Sequence, residues 1–329
     1  MTRFLAPLAR ATRRHGFALS VVACAAAACA FPGLFDEWRG VPLSRFVAPS
    51  IQLIMFGMGA TLRPSDFASI AKAPWSVAVG ALLQFAVMPV AGFAVARLFG
   101  FEGELAAGMV LIGSVSGGMA SNIIAYLAGA NVALSVTMTC VSTLLSPLLT
   151  PALMKLFADA YVTVDAAKMM ASMVEIVIAP VAAGLVLRLA LGRFYDRHKA
   201  AIDRVLTTVA SFGVCFSIAV CLAPNSALLV KSGVVILLSS VVHSTIGFAL
   251  GYWLARLAGL FLPIDERDAK TVSIEVGMQN GGMAAALAVN VLGSTVAALP
   301  ANAAAVWMNV AGSLLASRWR GANAPAATE

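Results

Sequence analysis

Charged residues are scarce in this chain. Only 11% of its 329 residues are Asp, Glu, Lys or Arg, whereas 60% are hydrophobic; a soluble domain carries about 25% charged residues. The mean hydropathy is +0.91. This shortage of charge excludes an ordinary soluble domain and indicates an integral membrane protein with little mass outside the bilayer. At about 20 residues per crossing plus short loops, the length accommodates roughly ten transmembrane helices.

Motifs of several catalytic and metal-binding classes are also missing. The sequence contains no HExxH or GxSxG motif and no paired acids within its apolar segments, which disfavours an intramembrane enzyme. The five cysteines lie in apolar segments without CxxC or Cys/His ligand spacing: Cys24, Cys29, Cys140, Cys215 and Cys221. This spacing supports neither a disulfide framework nor a zinc site. We therefore expect that the chain is not an enzyme and needs no cofactor.

Basic residues outnumber acidic ones, which gives the chain a formal net charge of +7. The basic residues flank apolar segments and form no stripe with interleaved aromatic residues, which disfavours a nucleic-acid partner. If the N-terminus lies inside, few basic residues fall outside: Arg39, Arg45, Arg97, Lys155, Lys168 and Lys231. This bias follows the positive-inside rule. We expect a multi-pass membrane protein with both termini in the cytoplasm.

Apolar segments recur along the whole chain. The first, at residues 16–31, follows four arginines, and we interpret it as an uncleaved first helix, with a cleaved signal peptide as the alternative. Further spans are predicted at residues 45–62, 74–99, 104–127, 132–157, 166–189, 201–222, 228–260, 268–292 and 300–317. The polar tail after Arg320 is expected to be disordered.

Two segments half the chain apart resemble each other. Gly117-Gly-Met-Ala-Ser-Asn-Ile123 has a counterpart in Gly281-Gly-Met-Ala-Ala-Ala-Leu287, and Asn131-Val-Ala-Leu-Ser135 has one in Thr295-Val-Ala-Ala-Leu299. Each copy lies in the fourth of five predicted helices, and halves with an odd helix count insert in opposite orientations. The pattern predicts an all-α membrane protein built from inverted repeats, as in secondary transporters. The predicted repeats are residues 1–160 and 161–320, followed by a tail at 321–329.

The most unusual stretch is Ser273-Ile-Glu-Val-Gly-Met-Gln-Asn-Gly-Gly-Met283. It places Glu275 within an apolar region, where a carboxylate is expensive to bury. The following Gly281-Gly282 pair predicts a point at which the helix unwinds, and Ser114-Val-Ser-Gly-Gly118 is the equivalent signal in the first half. We interpret these stretches as two broken helices that cross near the midplane, which is the arrangement of an ion-coupled transport site.

Polar side chains accompany both predicted breaks. Ser121 and Asn122 follow the first break, Ser135 and Thr139 lie one turn apart on the next helix, and Gln84 is a lone amide in an apolar run. Such oxygens suit a hard cation such as sodium. For the serines and the threonine, the alternative is a bond to their own helix or packing between helices.

Several motifs together resemble the bile acid:sodium symporter family, especially its bacterial members. They are Met55-Phe-Gly-Met-Gly-Ala-Thr-Leu-Arg-Pro-Ser-Asp-Phe67, Gln84-Phe-Ala-Val-Met-Pro89, Ala120-Ser-Asn-Ile-Ile-Ala-Tyr-Leu127, Ser146-Pro-Leu-Leu-Thr-Pro151, Glu275-Val-Gly-Met-Gln-Asn280 and Val306-Trp-Met-Asn-Val310. The resemblance covers nearly the whole chain. It implies ten helices in two inverted five-helix repeats, which form a panel domain and a core domain.

The resemblance also implies two sodium ions, which act as coupling ions rather than as cofactors. The first sodium site falls on Ser121, Asn122, Ser135, Thr139 and Glu275. The second falls on Gln84, Glu275, Val276, Met278 and Gln279, with Val276 and Met278 contributing carbonyl oxygens. The candidate substrate contacts are Asn280, Met119, Gly118, Gly282, Met308 and Asn309.

Two candidate substrate positions depart from the pattern of the family. Met119 stands where several relatives have Thr, and Met308 stands where some have His. We expect a sodium-coupled symporter that imports an organic anion across the lipid bilayer. A small hydroxy or keto acid such as pantoate or ketopantoate is favoured, and a bile acid-like steroid anion is the other class. The alternatives are a proton-coupled carrier on the same fold and a membrane ligand sensor that does not transport.

Overall fold

A computed structural model describes residues 20–63 and 73–322 of the chain. Residues 323–329 of the predicted tail, the four N-terminal arginines and part of the motif between Met55 and Phe67 lie outside the described residues, whereas residues 321 and 322 continue the last helix. The described part is dominated by helices. Its two named strands, Glu37–Trp38 and Val41–Pro42, form a short antiparallel hairpin.

We number the longer helices of the described chain α1 to α12. They are α1 (Ser20–Ala30), α2 (Val47–Thr61), α3 (Pro74–Leu98), α4 (Gly103–Ser114), α5 (Ala120–Leu127), α6 (Val132–Phe157), α7 (Ala166–Met173), α8 (Ala179–Leu222), α9 (Ser226–Ala258), α10 (Glu266–Gly277), α11 (Gly281–Asn290) and α12 (Leu299–Ala322). Shorter turns are the α-helical turn Gly33–Asp36 and the 3₁₀ turns Leu43–Phe46 and Ala223–Asn225. A π-helical turn, Val174–Ile178, joins α7 to α8.

Several helical segments are long and apolar enough to cross a membrane. In the described residues there are five: Leu43–Thr61, Pro74–Leu98, Val132–Phe157, Ala166–Ala258 and Leu299–Arg320. The segment Ala166–Ala258 is much longer than the roughly 20 residues of one crossing, so it contains more than one. Shorter apolar helices are Ser20–Ala30, Gly103–Ser114 and Gly281–Asn290. The protein is therefore an all-α, multi-pass membrane protein, as the composition predicts.

The chain turns back on itself within α8. Gly192 has a non-helical conformation there, with φ 40° and ψ −113°. Before the turn, Gly184 packs on Gly59 of α2; after the turn, Gly213 packs on Ile54 of the same helix. A straight helix would hold Gly184 and Gly213 about 43 Å apart, so the two arms of α8 must run antiparallel. The sequence predicts a loop at residues 190–200, whereas the helix continues close to the turn on both sides.

Two helical segments are interrupted. The first consists of α4 and α5, which are separated by a break at residues 115–119. The second consists of α10 and α11, which are separated by a break at residues 278–280. The first break agrees with the sequence prediction. The second lies just before the Gly281-Gly282 pair, because the side chain of Asn280 accepts a hydrogen bond from Met283 N at 3.0 Å and caps α11 at its first turn. Gln279 therefore lies in the break and not on a helix with Glu275.

Buried apolar side chains surround the two breaks. The largest cluster draws on α2, α4, α8 and α11, and includes Ile51, Met109 and Met283. A second cluster brings Met278 of the second break together with Ile124 of α5 and apolar residues of α12. The breaks are thus enclosed by packed helices, which keeps their exposed backbone groups away from lipid.

Candidate functional site

The two breaks cross each other in antiparallel extended conformation. Gly118 N donates to Met278 O at 3.0 Å, and Asn280 N donates to Ser116 O at 2.9 Å. Buried backbone groups that no helix satisfies must find other partners. Here each broken helix supplies the partners of the other, so the crossing fixes the position of all four half-helices.

Two glycines allow this close approach. A Cβ added to Gly117 would lie 2.9 Å from Glu275 Oε2, and one added to Gly118 would lie 2.9 Å from Gln279 O. Real Cβ atoms almost never approach other atoms so closely. A side chain at Gly118 would push the broken helices apart, and one at Gly117 would displace the Glu275 carboxylate.

Glu275 lies in the last turn of α10, directly before the second break. Its side chain is 2% exposed. Ser121 Oγ of α5 donates to Oε1 at 2.5 Å, Ser135 Oγ of α6 donates to the same oxygen, and Thr139 Oγ1 donates to Oε2 at 2.9 Å. In the described part of the chain, Glu275 forms no ion pair with Lys, Arg or His. Neutral hydroxyls are thus the side-chain donors to this buried carboxylate.

More oxygens converge here than these hydroxyl protons can satisfy. Ser121 Oγ lies 2.7 Å from Gly118 O as well as next to Glu275, and Ser135 Oγ lies 2.8 Å from Asn122 Oδ1. Each hydroxyl has one proton to donate, so it cannot serve both acceptors fully. A cluster of oxygens with too few protons is suited to a hard cation. The structure brings together all five residues of the first predicted sodium site.

The second predicted site adjoins the first at Glu275, which lines one small cavity together with Gln84. Gln84 Nε2 of α3 donates to Val115 O at 2.8 Å and to Gln279 Oε1 at 2.6 Å. Gln279 Nε2 in turn donates to Val276 O at 2.7 Å. The structure therefore brings Gln84, Gln279 and the Val276 carbonyl together. The Met278 carbonyl accepts from Gly118 N across the crossing.

Four candidate substrate residues lie at or beside the crossing. Gly118 and Asn280 belong to the two breaks. Gly282, in the first turn of α11, faces α2, because a Cβ there would lie 3.0 Å from Ile51 Cδ1. Met119 is half-buried and packs against the largest apolar cluster. The contact of Gly282 with Ile51 places the start of α11 against α2.

The other two candidates are on α12. Met308 is buried in the cluster that contains Met278 and Ile124. Asn309 Nδ2 donates to Ala305 O of its own helix at 2.7 Å. The described contacts thus tie Met308 to the crossing, and they do not bring Asn309 to the other candidates.

Sequence reasoning missed a polar group two turns before Glu275. Asp268 is buried on α10, where Ser76 Oγ donates to Oδ2 at 2.6 Å and Asn131 Nδ2 donates to Oδ1 at 2.9 Å. A signal was present, since residues seven apart share a helix face. Asp268 stands near the predicted start of its span and was therefore not singled out as an intramembrane acid.

Comparison with known proteins gives consistent matches. The profile of the Sodium Bile acid symporter family matches residues 48–232. The chain is 35% identical over 303 residues to the uncharacterized sodium-dependent transporter YocS of Bacillus subtilis (strain 168), covering 92% of this chain and 90% of the relative.

Plant proteins are also similar. The probable sodium/metabolite cotransporter BASS1, chloroplastic, of Arabidopsis thaliana is 35% identical over 270 residues, covering 82% of this chain and 65% of the relative. The probable sodium/metabolite cotransporter BASS3, chloroplastic, of Oryza sativa subsp. japonica is 33% identical over 306 residues, covering 92% of this chain and 69% of the relative.

Proposed function

We propose that this chain, which belongs to the sodium bile acid symporter family, imports an organic anion in symport with sodium. The family and its relatives are named as transporters, which confirms that the chain is not an enzyme. The observation that carries the proposal is Glu275, a buried carboxylate whose side-chain partners are three hydroxyls. Burial of an uncompensated charge is strongly unfavourable, and a bound cation compensates it.

Two sodium ions share Glu275 in this proposal. The first is held by oxygens of Ser121, Asn122, Ser135 and Thr139, and the second by Gln84, Gln279 and the carbonyls of Val276 and Met278. Both sets of groups lie behind the crossing in this proposal, and support comes from the one cavity that Gln84 and Glu275 line together. Glu275 lies between the two sodium ions in this proposal, so its negative charge attracts both and offsets their mutual repulsion.

The substrate anion binds at the start of α11 and α5. Free N–H groups and the positive dipole end of a helix attract anions. The first turn of α11 faces α2 at Gly282, so this end opens toward the interface between the crossing and the helices α2 and α8. Sodium on the far side holds both breaks in place and thereby orients the N–H groups. Movement of α2 and α8 against the crossing then exposes the anion to one side of the membrane at a time.

The proposal includes ten membrane crossings in two inverted repeats. Ten crossings result if each broken helix counts once and each arm of α8 counts separately. The two inverted repeats are then residues 1–160 and 161–320, in the bacterial inner membrane with both termini in the cytoplasm. The core comprises the crossing and the helices packed around it, and the panel comprises α1, α2, α7 and α8.

The favoured substrate is a small hydroxy or keto acid such as pantoate or ketopantoate. Met119 and Met308 place thioethers at two of the candidate substrate positions. A steroid anion of the bile acid type is the other class. Competition between the two substrates in one assay separates these possibilities.

Uptake into proteoliposomes tests the proposal. The full chain is reconstituted, and uptake of labelled pantoate is measured under an inward sodium gradient and with potassium in place of sodium, with taurocholate as competitor. Uptake that requires sodium is expected. Equal uptake in potassium that follows a pH gradient would favour a proton-coupled carrier, and binding without accumulation would favour a ligand sensor.

A further inference from the structure

We propose that Asp268 is a positioning residue for the sodium site at Glu275. The inference rests on the proposed sodium coupling and deepens it. Asp268 is 8% exposed and lies seven residues before Glu275 on α10. Residues seven apart are two turns apart on one helix face, so both acids point toward the same neighbouring helix, α6.

Asp268 ties together the ends of three helices. Ser76 lies in the first turn of α3 and donates to Oδ2 at 2.6 Å, while Asn131 immediately precedes α6 and donates to Oδ1 at 2.9 Å. Within the described residues, Asp268 forms no ion pair. Its carboxylate therefore acts through hydrogen bonds to two neutral side chains on α3 and α6.

Both polar atoms of the Asn131 side-chain amide form hydrogen bonds. Its Oδ1 accepts from Leu134 N at 3.1 Å and caps α6. Its Nδ2 must then find an acceptor, and that acceptor is Asp268. The backbone N–H of Asn131 also donates to Thr271 Oγ1 of α10 at 2.9 Å. The start of α6 is thus attached to α10 at two points.

This attachment sets the positions of two sodium-site hydroxyls. Ser135 and Thr139 lie four and eight residues after Asn131, about one and two turns into α6. They meet Glu275 two turns after Asp268. A shift of α6 along α10 at the Asp268–Asn131 contact would displace both hydroxyls from Glu275. Polar groups behind the direct ligands of a metal commonly act in this way.

The chain offers a matched control at another helix start. Glu104 lies in the first turn of α4, and its Oε2 accepts from Ser294 Oγ at 2.6 Å. Glu104 and Asp268 are separated by the same number of residues as Gly117 and Gly281. Ser294 precedes α12, which carries none of the proposed sodium ligands. Loss of the Glu104 carboxylate should therefore leave sodium binding unchanged.

The test is binding of radioactive sodium to the purified full chain. In Asp268→Leu, a side chain of similar size offers no acceptor, so Asn131 Nδ2 and Ser76 Oγ both lose their bond to α10. Sodium affinity is expected to fall by roughly 10- to 100-fold, while Glu104→Leu binds as the unchanged protein does. Equal affinities of Asp268→Leu and the unchanged protein would overturn the inference.

The conservative variant Asp268→Asn provides the rescue. Its Oδ1 accepts from Asn131 Nδ2, and its Nδ2 donates to Ser76 Oγ, because a hydroxyl also accepts. We expect its sodium affinity to lie within a few-fold of that of the unchanged protein. An Asp268→Asn variant that folds and binds sodium as weakly as Asp268→Leu would contradict the positioning role.

A milder variant tests the inference even if the substitution at Asp268 prevents folding. Ser76→Ala removes one donor and keeps the carboxylate, and it should weaken sodium binding by roughly several-fold. Unchanged binding by this variant, together with an unfolded Asp268→Leu, would mean that Asp268 serves stability alone. No binding of sodium by the unchanged protein would overturn the proposed function itself, which separates the two failures.

Discussion

Ser121 Oγ donates a hydrogen bond to Glu275 Oε1 at 2.5 Å across a separation of 154 residues in the chain. The two helix breaks make this contact possible. Ser121 belongs to the first turn after one break, and Glu275 to the last turn before the other. A cluster of oxygens thus forms where the two halves of the chain meet. The proposed sodium coupling requires such a cluster, because sodium is bound by oxygen ligands.

Loss of the Ser135 hydroxyl should weaken sodium activation of transport. Hydrogen bonds to charged groups contribute about 1.5–3 kcal/mol, and Ser135 Oγ contacts both Glu275 and Asn122. We expect Ser135→Ala to raise the half-saturating sodium concentration roughly tenfold or more. Ser146→Ala is the control, because the buried Ser146 hydroxyl donates to Thr143 O of its own helix. Equal sodium curves for the two variants would argue against a first site at Ser135.

Gln84 should matter for the number of sodium ions and not only for their affinity. Its amide connects Val115 O with Gln279 Oε1. We expect Gln84→Ala to change the sodium dependence of uptake from sigmoidal to hyperbolic, because one of two sites is lost. Gln52→Ala is the control, since Gln52 Nε2 contacts Glu175 O on the surface of the helix pair. A curve that stays sigmoidal in Gln84→Ala would rule out this second site.

A methyl group at Gly118 should block transport. The added Cβ would lie 2.9 Å from Gln279 O, where only backbone movement relieves the contact. We expect Gly118→Ala to insert in the membrane and to lose most sodium-dependent uptake. The control, Gly233→Ala, places its Cβ 3.8 Å from Leu229 in an ordinary contact. Uptake by Gly118→Ala at the level of the control would show that the crossing tolerates separation.

Met119 should influence the choice of anion and not the affinity for sodium. Its half-buried side chain precedes α5 and contacts the apolar cluster near α2. We expect Met119→Thr to change the relative inhibition of uptake by a series of carboxylates of increasing size, at an unchanged half-saturating sodium concentration. A changed sodium dependence with the same order of inhibitors would place Met119 with the ions instead.

Much of the site follows from the cost of burying polar groups. Glu275, Gln84 and Gln279 stand in apolar surroundings in the sequence, and such residues are retained in a membrane only where they have partners. The broken helices follow from the glycine pairs beside these amides. The predicted spans likewise agree with the observed helices to within a few residues for α3, α6 and α9.

Other features depend on contacts that a linear pattern does not contain. The cap that Asn280 forms on α11 moves the second break ahead of the glycine pair. The reversal at Gly192 lies in a stretch whose charges suggest a loop, although helical hydrogen bonds persist close to the turn. Asp268 near the start of a helix looks like a solvated first-turn acid, and only the approach of Ser76 and Asn131 shows that it is enclosed.

The binding of radioactive sodium by Glu275→Gln tests the central claim most directly. The amide keeps the shape of the side chain and removes its charge. The unchanged protein should bind sodium saturably, with displacement by unlabelled sodium and not by potassium, and Glu275→Gln should lose this binding while it remains folded. Glu175→Gln, which alters an exposed acid of the π-helical turn, should bind normally. Sodium binding by Glu275→Gln equal to that of the unchanged protein would contradict the account.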